Sequence, residues 1–281
     1  VYLFMVQTSA LIFALAAHAL GLAPPLSLVL TMLGGLLGII GGLVLTFALA
    51  PFQIRKSMDS RQVADPEFIA LLQNCFSKAG VPAIDCYIVE TPISTWNNAW
   101  VAGFARGRGI FKPAMFFTQS LLRNFSTAEL EGIILHEVSH LALKHLRKRF
   151  SKTVGLLALS TIGLVLVGAL ALTLLPPEVR AISLLPLVLA ALYFPLQRIK
   201  KLVEEQEFEA DSHAVLKLGV DPLLFVGVLR KLETITCPPG SSSATRTANT
   251  GHPTLEARIE AIIQATSQTK TDPARDDRKA A

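Results

Sequence analysis

The feature that most constrains this chain is the uneven distribution of its charged residues. Residues 1–54 contain no Asp, Glu, Lys or Arg, and residues 153–197 contain only Glu178 and Arg180. These 99 residues carry 2 of the 47 charges, whereas the other 182 residues carry 45, an ordinary density for a water-soluble protein. The chain therefore combines membrane-type segments with a soluble part, which excludes a wholly soluble enzyme, a disordered chain and a fibrous protein.

Four apolar stretches approach the length of about 20 residues that a helix needs to cross a bilayer. They are residues 3–22, 26–50, 153–175 and 181–196. The fourth is short and contains two prolines, so a tilted, re-entrant or interfacial segment is the alternative to a span. A cleavable signal peptide is the alternative for the first, although the basic region that precedes such an apolar run is missing. Glycines that allow close helix contact occur in the second, at Gly34, Gly35, Gly38, Gly41 and Gly42.

The basic residues indicate on which side of the membrane the soluble parts lie. Short connections join the first two stretches and the last two, so each pair is predicted to form a hairpin. Lys and Arg cluster outside these hairpins, and the positive-inside rule therefore predicts that residues 55–152 and 198–281 are cytoplasmic. This clustering accounts for the net charge of +5 without a nucleic-acid partner, and three cysteines with no CxxC pattern predict reduced thiols.

Hydrophobic periodicity predicts helices and a few short strands in the soluble part. The predicted helices cover residues 62–80, 127–149, 197–218 and 255–265. The predicted strands cover residues 86–89, 95–104 and 110–118. Ser126 and Glu129 form a capping box before the second helix, and Pro113 favours an edge or a bulge for the last strand. Residues 236–251 are predicted to form a flexible loop and the tail from residue 266 to be disordered.

The decisive element is the sequence His136-Glu137-Val138-Ser139-His140 inside the second predicted helix. Residues i and i+4 share one face of a helix, so both imidazoles can reach one metal ion. Glu137 lies next to the first ligand and is placed to act on a water molecule as general base. Two core histidines beside a surface glutamate are the structural alternative to this metal site.

A catalytic zinc ion takes three protein ligands, so a third must come from elsewhere in the chain. The helix predicted over residues 197–218 offers Glu204, Glu205, Glu207, Glu209 and Asp211. Glu207 and Asp211 are i, i+4 partners, which suits a ligand with a second carboxylate hydrogen-bonded to a ligand imidazole. The residues alone favour Glu207 only weakly, and a solvated acidic face is the alternative. For the remaining imidazoles, His145 and His213, a structural role is predicted.

The chain resembles the membrane zinc metallopeptidases that include HtpX and the CAAX prenyl proteases, and its four-span layout is similar to that of HtpX. Four motifs in order carry this resemblance: Asn98-Ala99-Trp100-Val101-Ala102-Gly103, His136 to His140, Glu207-Phe208-Glu209-Ala210-Asp211, and His252-Pro253-Thr254-Leu255-Glu256-Ala257-Arg258.

The resemblance implies that Glu207 is the third ligand of one Zn²⁺ per chain and that the carboxylate of Asp211 supports a ligand imidazole. It also implies that His252 and Arg258 are catalytic groups near the scissile carbonyl. A substrate-binding edge strand is implied at Asn98, Ala99 and Trp100. A loop histidine before a proline is the alternative for His252, and pairing with Glu137 or an acidic neighbour is the alternative for Arg258.

The expected fold is mainly α with a small β-sheet, in which four transmembrane helices accompany a gluzincin-like cytoplasmic metallopeptidase domain. The expected order is a transmembrane hairpin (1–54), the first protease part (55–152), a second hairpin (153–197), the second protease part (198–265) and a disordered tail (266–281).

The expected function is zinc-dependent hydrolysis of peptide bonds in misfolded membrane or cytoplasmic proteins, with Glu137 as general base. The resemblance implies quality control in the bacterial inner membrane, with the lipid bilayer, protein substrates and other quality-control factors as partners. Two alternatives stay open. One is a processing peptidase for a single prenylated or signalling substrate, and the other is a catalytically silent membrane scaffold or sensor.

Overall fold

The computed structural model describes residues 2–90, 96–103, 112–236 and 253–271, and within them the chain is mainly helical with one small sheet, as predicted. The helices are α1 (Tyr2–Ala19), α2 (Pro24–Ser57), α3 (Pro66–Lys78), α4 (Gln119–Asn124), α5 (Thr127–Ala142), α6 (His145–Leu174), α7 (Pro177–Leu216), α8 (Pro222–Thr236) and α9 (Leu255–Thr271). The strands are β1 (Ser60–Gln62), β2 (Asp85–Val89), β3 (Ala99–Ala102) and β4 (Ala114–Thr118).

The chain divides into two compact units, each built from two separate segments. The apolar unit contains Val1–Leu49 and Arg147–Leu202, and the sheet unit contains Ala50–Leu146 and Val203–Ala281. In the apolar unit, α1 and α2 approach closely at Gly34, where an added Cβ would lie 2.6 Å from Cγ of Phe13. This contact agrees with the predicted use of glycine between apolar helices.

Two helical stretches, rather than the predicted four, are long and apolar enough to cross a membrane among the residues the structure describes. They are Val29–Ser57 and His145–Ala171. The other two predicted spans form α1 and the first half of α7, and many of their side chains lie outside the described set.

Helix α7 begins twenty residues before the predicted start at residue 197 and continues through Pro186 and Pro195. Proline removes one backbone hydrogen bond and favours a kink, but the turns on either side can continue the helix. The two prolines therefore do not end the helix, and the fourth apolar stretch is continuous with the helix that carries Glu207.

The sheet has the strand order β1-β2-β4-β3. Strands β2 and β4 are parallel, whereas β1 and β3 pair antiparallel at the two outer positions. The prediction of an edge position for residues 110–118 is wrong, because β4 is central and all five of its residues are buried. Pro113 precedes the strand, so its missing N–H interrupts no hydrogen bond of the ladder.

The two faces of the sheet have different neighbours. One face presents Ile88, Met115 and Phe117 to the main core, which α3 and α5 complete. The other face carries a row of stacked rings, with centroids 5.6 Å apart between Tyr87 and Phe116 and 5.5 Å apart between Phe116 and Trp100. At one end of the row, Trp96 stacks on Trp100 with centroids 5.6 Å apart. At the other end, the guanidinium of Arg55 lies over the ring of Tyr87.

Helix α5 begins with the predicted capping box. The backbone N–H of Ser126 donates to Glu129 Oε2 (2.7 Å), and the N–H of Glu129 donates to Ser126 Oγ (3.4 Å). The helix ends at Ala142 rather than at the predicted Arg149, because Lys144 takes a left-handed conformation (φ +58°) and α6 starts at His145. No glycine or proline marks this break in the sequence.

Several smaller elements also differ from the predictions. Strand β1 and helices α4 and α8 were not predicted, and α3 begins at Pro66 after the N-cap Asp65. Helix α9 continues to Thr271 instead of ending at residue 265, so the first part of the tail predicted as disordered is helical. The predicted loop lies outside the described residues from residue 237 onward.

We expect Gly103→Ala to destabilise the protein more than Gly219→Ala. Both glycines have positive φ (+92° and +76°), and an alanine there costs about 1–2 kcal/mol. At Gly103 the added Cβ would also lie 2.7 Å from Pro51 Cγ, whereas at Gly219 it would meet nothing within 4 Å. This overlap adds roughly 1–3 kcal/mol, which thermal unfolding of the two variants in detergent can measure. Equal losses would contradict the close packing at Gly103.

Candidate metal centre

Three buried donor atoms converge in the sheet unit. His136 and His140 lie one turn apart on α5, and Glu207 lies on α7. The Nε2 atoms of the two imidazoles are 3.3 Å apart, and they lie 3.5 Å and 3.6 Å from the Oε2 and Oε1 atoms of Glu207. All three residues are buried, with exposures of 7%, 7% and 3%. The two parts of the chain that the sequence analysis linked therefore meet at one point.

The spacing of these atoms fits a zinc ion. Zinc bonds to nitrogen and oxygen of about 2.0–2.2 Å at tetrahedral angles place neighbouring ligand atoms roughly 3.3–3.6 Å apart. The three observed contacts are 3.3, 3.5 and 3.6 Å long, and the last two reach the two different oxygens of the Glu207 carboxylate. Two imidazoles and one carboxylate are also a ligand set used by catalytic zinc, which keeps the fourth position open.

His136 is oriented by a carboxylate behind it. Its Nδ1 lies 2.8 Å from Oδ1 of Asp211, so Nδ1 carries an N–H, and in the neutral imidazole Nε2 then directs its lone pair at the other donor atoms. Arg258 in turn donates from Nε to Oδ2 (2.7 Å) and from Nη2 to Oδ1 (2.6 Å) of Asp211. Asp211 thus lies between an imidazole and a guanidinium, and both of its oxygens accept hydrogen bonds.

The ionisation of this group follows from its burial and its charges. Burial by itself lowers the pKa of His136, but the carboxylates of Asp211 and Glu207 outweigh it and raise the pKa to about 10. For Asp211, burial raises the pKa, whereas Arg258 and His136 outweigh this effect and hold the pKa below its usual value. Asp211 is therefore ionised at neutral pH.

His140 is also held from behind, by a residue for which only a structural role was predicted. Its Nδ1 lies 2.8 Å from Nδ1 of His145, which is fully buried, and His145 Nε2 lies 3.0 Å from Oε2 of Glu209. Gln206 fixes the backbone there by donating from Nε2 to the carbonyl of His145 (3.3 Å). One weak sign of this arrangement is visible in the sequence, namely a histidine five residues after His140.

A buried hydrogen bond joins the two helices that carry the donors. Ser139 Oγ donates to the carbonyl of Leu135 (2.7 Å) within α5, so it accepts from Nδ1 of His213 on α7 (2.9 Å). Partial burial lowers the pKa of His213, which favours its neutral form. The contact fixes the position of α7 relative to α5 at the level of the donor atoms.

Glu137 follows His136 in α5 and is half-buried. Burial lowers the pKa of Arg258, but Asp211, Glu207 and Glu137 outweigh it and raise that pKa above its usual value. The carboxylate of Glu137 is thus close enough to act electrostatically on the site. For Arg258, the sequence left pairing with Glu137 or with another acidic residue open. In the structure its bidentate contact is with Asp211.

The predicted substrate-binding residues lie on or beside the outer strand β3. The backbone of Asn98 is tied to Thr118: its N–H donates to Thr118 Oγ1 (3.0 Å), and its carbonyl accepts from the N–H of Thr118 (3.0 Å). Ala99 and Trp100 begin β3, which contacts α5. His252 lies outside the described residues.

Comparison with known proteins gives a consistent result. The model of peptidase family M48 matches residues 63–266. A protease HtpX homolog of Acidiphilium cryptum is 29% identical over 181 residues, which cover 62% of this chain and 58% of that protein. A protease HtpX homolog of Pyrococcus abyssi is 30% identical over 130 residues, which cover 41% of this chain and 43% of that protein. The chain thus spans little more than half the length of the first of these relatives, and less of the second.

A solved structure is similar in fold. The crystal structure of S. mikatae Ste24p aligns with a TM-score of 0.58 at 18% sequence identity. The alignment covers 92% of this chain and 66% of that one. At this identity, the similarity is one of fold alone.

We expect Asp211→Asn to destabilise the protein by about 3–5 kcal/mol, because it leaves the buried charge of Arg258 without its bidentate partner. Thermal unfolding of the metal-free protein with excess chelator measures the loss without a contribution from metal binding. The double variant Asp211→Asn, Arg258→Met removes both charges and should recover most of it. A loss below about 1 kcal/mol in the single variant would contradict the importance of this ion pair.

Proposed function

The chain belongs to peptidase family M48, and from this premise we propose that it is a zinc-dependent endopeptidase of the membrane. The observation that carries the proposal is the buried cluster of donor atoms from His136, His140 and Glu207, with Glu137 next to His136 in the same helix. This arrangement brings Glu207 to two histidines that precede it by 67 and 71 positions in the chain. A scaffold without catalytic activity has no need of such a site.

One zinc ion per chain is the cofactor we assign to the site. His136, His140 and Glu207 would hold it, and a bound zinc ion would supply Lewis acidity toward water and toward the carbonyl of the scissile bond. Asp211 and Arg258 keep His136 in the tautomer whose Nε2 is available as a ligand. These residues act before the reaction, by fixing the geometry of the donors.

Glu137 performs the proton transfers in this proposal. Its carboxylate accepts a proton from the attacking water and delivers that proton to the leaving amine nitrogen when the C–N bond breaks. Its half-buried position beside the donor atoms suits this role. It cannot easily be a ligand, because it follows His136 directly and the helix turns by about 100° per residue.

Two residues were predicted to act near the scissile carbonyl. Arg258 donates from two of its nitrogens to Asp211, so we propose that it acts on His136 through this carboxylate. His252 is then the candidate for a hydrogen-bond donor to the developing oxyanion. One such donor stabilises the transition state by roughly 3 kcal/mol. This role of His252 stays a prediction.

The membrane location rests on two helices with apolar surfaces. In His145–Ala171, Leu159 and Leu166 are 68% and 65% exposed, a surface suited to lipid rather than to water. We propose that these helices embed the chain in the bacterial inner membrane, with the sheet unit in the cytoplasm on the side of the basic residues. Association with other quality-control factors is part of the same proposal.

The sheet suggests how a substrate is held. Among the described strands, none pairs with the outer edge of β3, and β3 contacts the helix that carries the histidines. An extended peptide can add to such an edge through main-chain hydrogen bonds, which are the same for every sequence except at proline. We therefore propose broad specificity and misfolded membrane or cytoplasmic proteins as substrates.

We expect Glu137→Gln to reduce cleavage of an unfolded protein in detergent by 10² or more, because it removes the general base. The variant should retain zinc, since its ligands are unchanged, and metal analysis of the purified protein tests this. Glu131→Gln is the matched control: it lies on the same helix, pairs with Lys78 outside the site and should keep full activity. Full activity of the Glu137 variant would refute the mechanism.

We expect cleavage of a model peptide to depend on its backbone amides in an alternating pattern. In an added strand, the N–H groups of alternate residues face β3, so N-methylation of that set should slow cleavage tenfold or more. N-methylation of the intervening amides is the control within the same peptide and should have a small effect. Mass spectrometry of the products measures both. Equal effects of the two sets, with one strict side-chain preference, would favour a dedicated processing peptidase.

A further inference from the structure

We infer that His145 and Glu209 are positioning residues, which fix the tautomer and the ring orientation of His140. The inference deepens the proposed function and rests on it, because it concerns how one zinc ligand is held. It assigns a role to two residues that lie in the sheet unit behind the donor atoms.

The hydrogen bonds determine where each proton lies. Glu209 Oε2, a carboxylate oxygen, accepts from Nε2 of His145 at 3.0 Å. In the neutral imidazole, Nδ1 of His145 is then an acceptor, so the 2.8 Å contact is a hydrogen bond donated by Nδ1 of His140. The proton on Nδ1 leaves Nε2 of His140 as a lone pair, and Nε2 is the atom that faces His136 and Glu207.

The backbone between α5 and α6 serves the same arrangement. Lys144 adopts a left-handed conformation (φ +58°), which costs a residue with a side chain about 1–2 kcal/mol. Lys144 lies two residues after the end of α5 at Ala142, and α6 starts at His145, whose ring lies 5.0 Å from that of His140. A straight continuation of the helix would place residue 145 some 140° around the axis from residue 140, away from it.

The two ligand imidazoles are thus supported in parallel ways. Behind His136 lies the carboxylate of Asp211, and behind His140 lies an imidazole that ends on the carboxylate of Glu209. The two supports differ in burial: Asp211 is 1% exposed at its side chain, whereas Glu209 is 54% exposed. Loss of His145 should therefore weaken the site more than loss of Glu209.

The test measures metal affinity of the full chain in detergent, by competition between the protein and a chromophoric chelator for Zn²⁺. Supporting residues of this kind typically change metal affinity 10–100-fold, so His145→Leu should raise the Kd by about that factor. His145→Asn is the rescue variant, because its Oδ1 can take the place of Nδ1 as acceptor, and its Kd should stay within about threefold of wild type.

The same set of variants is compared by the visible absorption of the Co²⁺-loaded protein, which reports the geometry of the ligands. His145→Leu should change the spectrum, whereas His145→Asn should leave it close to that of the wild-type protein. A merely structural role of His145 would lower the Tm of the metal-free protein in both variants and leave Kd and spectrum unchanged, which would overturn the inference.

Glu209→Ala provides an independent arm, which decides the matter if His145→Leu fails to fold. It should raise the Kd for Zn²⁺ about threefold to tenfold, while Glu205→Ala, an exposed carboxylate one turn earlier on α7, should leave it unchanged. Equal Kd values for these two variants would overturn the inference. A wild-type protein that binds neither Zn²⁺ nor Co²⁺ would overturn the proposed function itself. Failure of the inference can therefore be told apart from failure of the proposed function.

Discussion

The balance of charge inside the buried site is the constraint on which the rest of this structure depends. Glu137, Glu207 and Asp211 are three carboxyl groups around a single guanidinium, that of Arg258. Charges removed from water are tolerated only when they are paired, so this excess of carboxyl groups favours a cation at the site. The same balance accounts for the raised pKa of His136, which lies between two of these carboxylates.

The fold meets this constraint by packing helix α5 between other elements of the sheet unit. Residues from Leu130 to Leu141 are almost all buried, between the sheet on one side and α8 on the other. At Gly132 an added Cβ would lie 3.6 Å from Phe225 of α8 and from Val220, which precedes that helix. This packing fixes the helix, and with it the direction of the two imidazoles.

The sequence predicted the parts of the site that follow from periodicity within one helix. His136 and His140 share a helix face, and the capping box at Ser126 marks where that helix begins. The i, i+4 spacing of Glu207 and Asp211 favoured them only weakly over neighbouring carboxylates, and the family resemblance made the choice; the structure places both beside His136.

The sequence could not predict features that depend on tertiary contacts. The end of α5 depends on a left-handed Lys144, a residue type without preference for that conformation, and the role of His145 depends on this turn. The central position of β4 depends on which strands pair, because a run of buried residues has the same pattern in any position of a sheet.

The row of stacked rings on the sheet has one more consequence. The chain contains two tryptophans, Trp96 and Trp100, and both lie in this row, at the strand whose outer edge we assign to the substrate. The tryptophan fluorescence of this chain therefore arises at that edge. Binding of a peptide there can be followed by the tryptophan emission, without an attached dye and without any turnover.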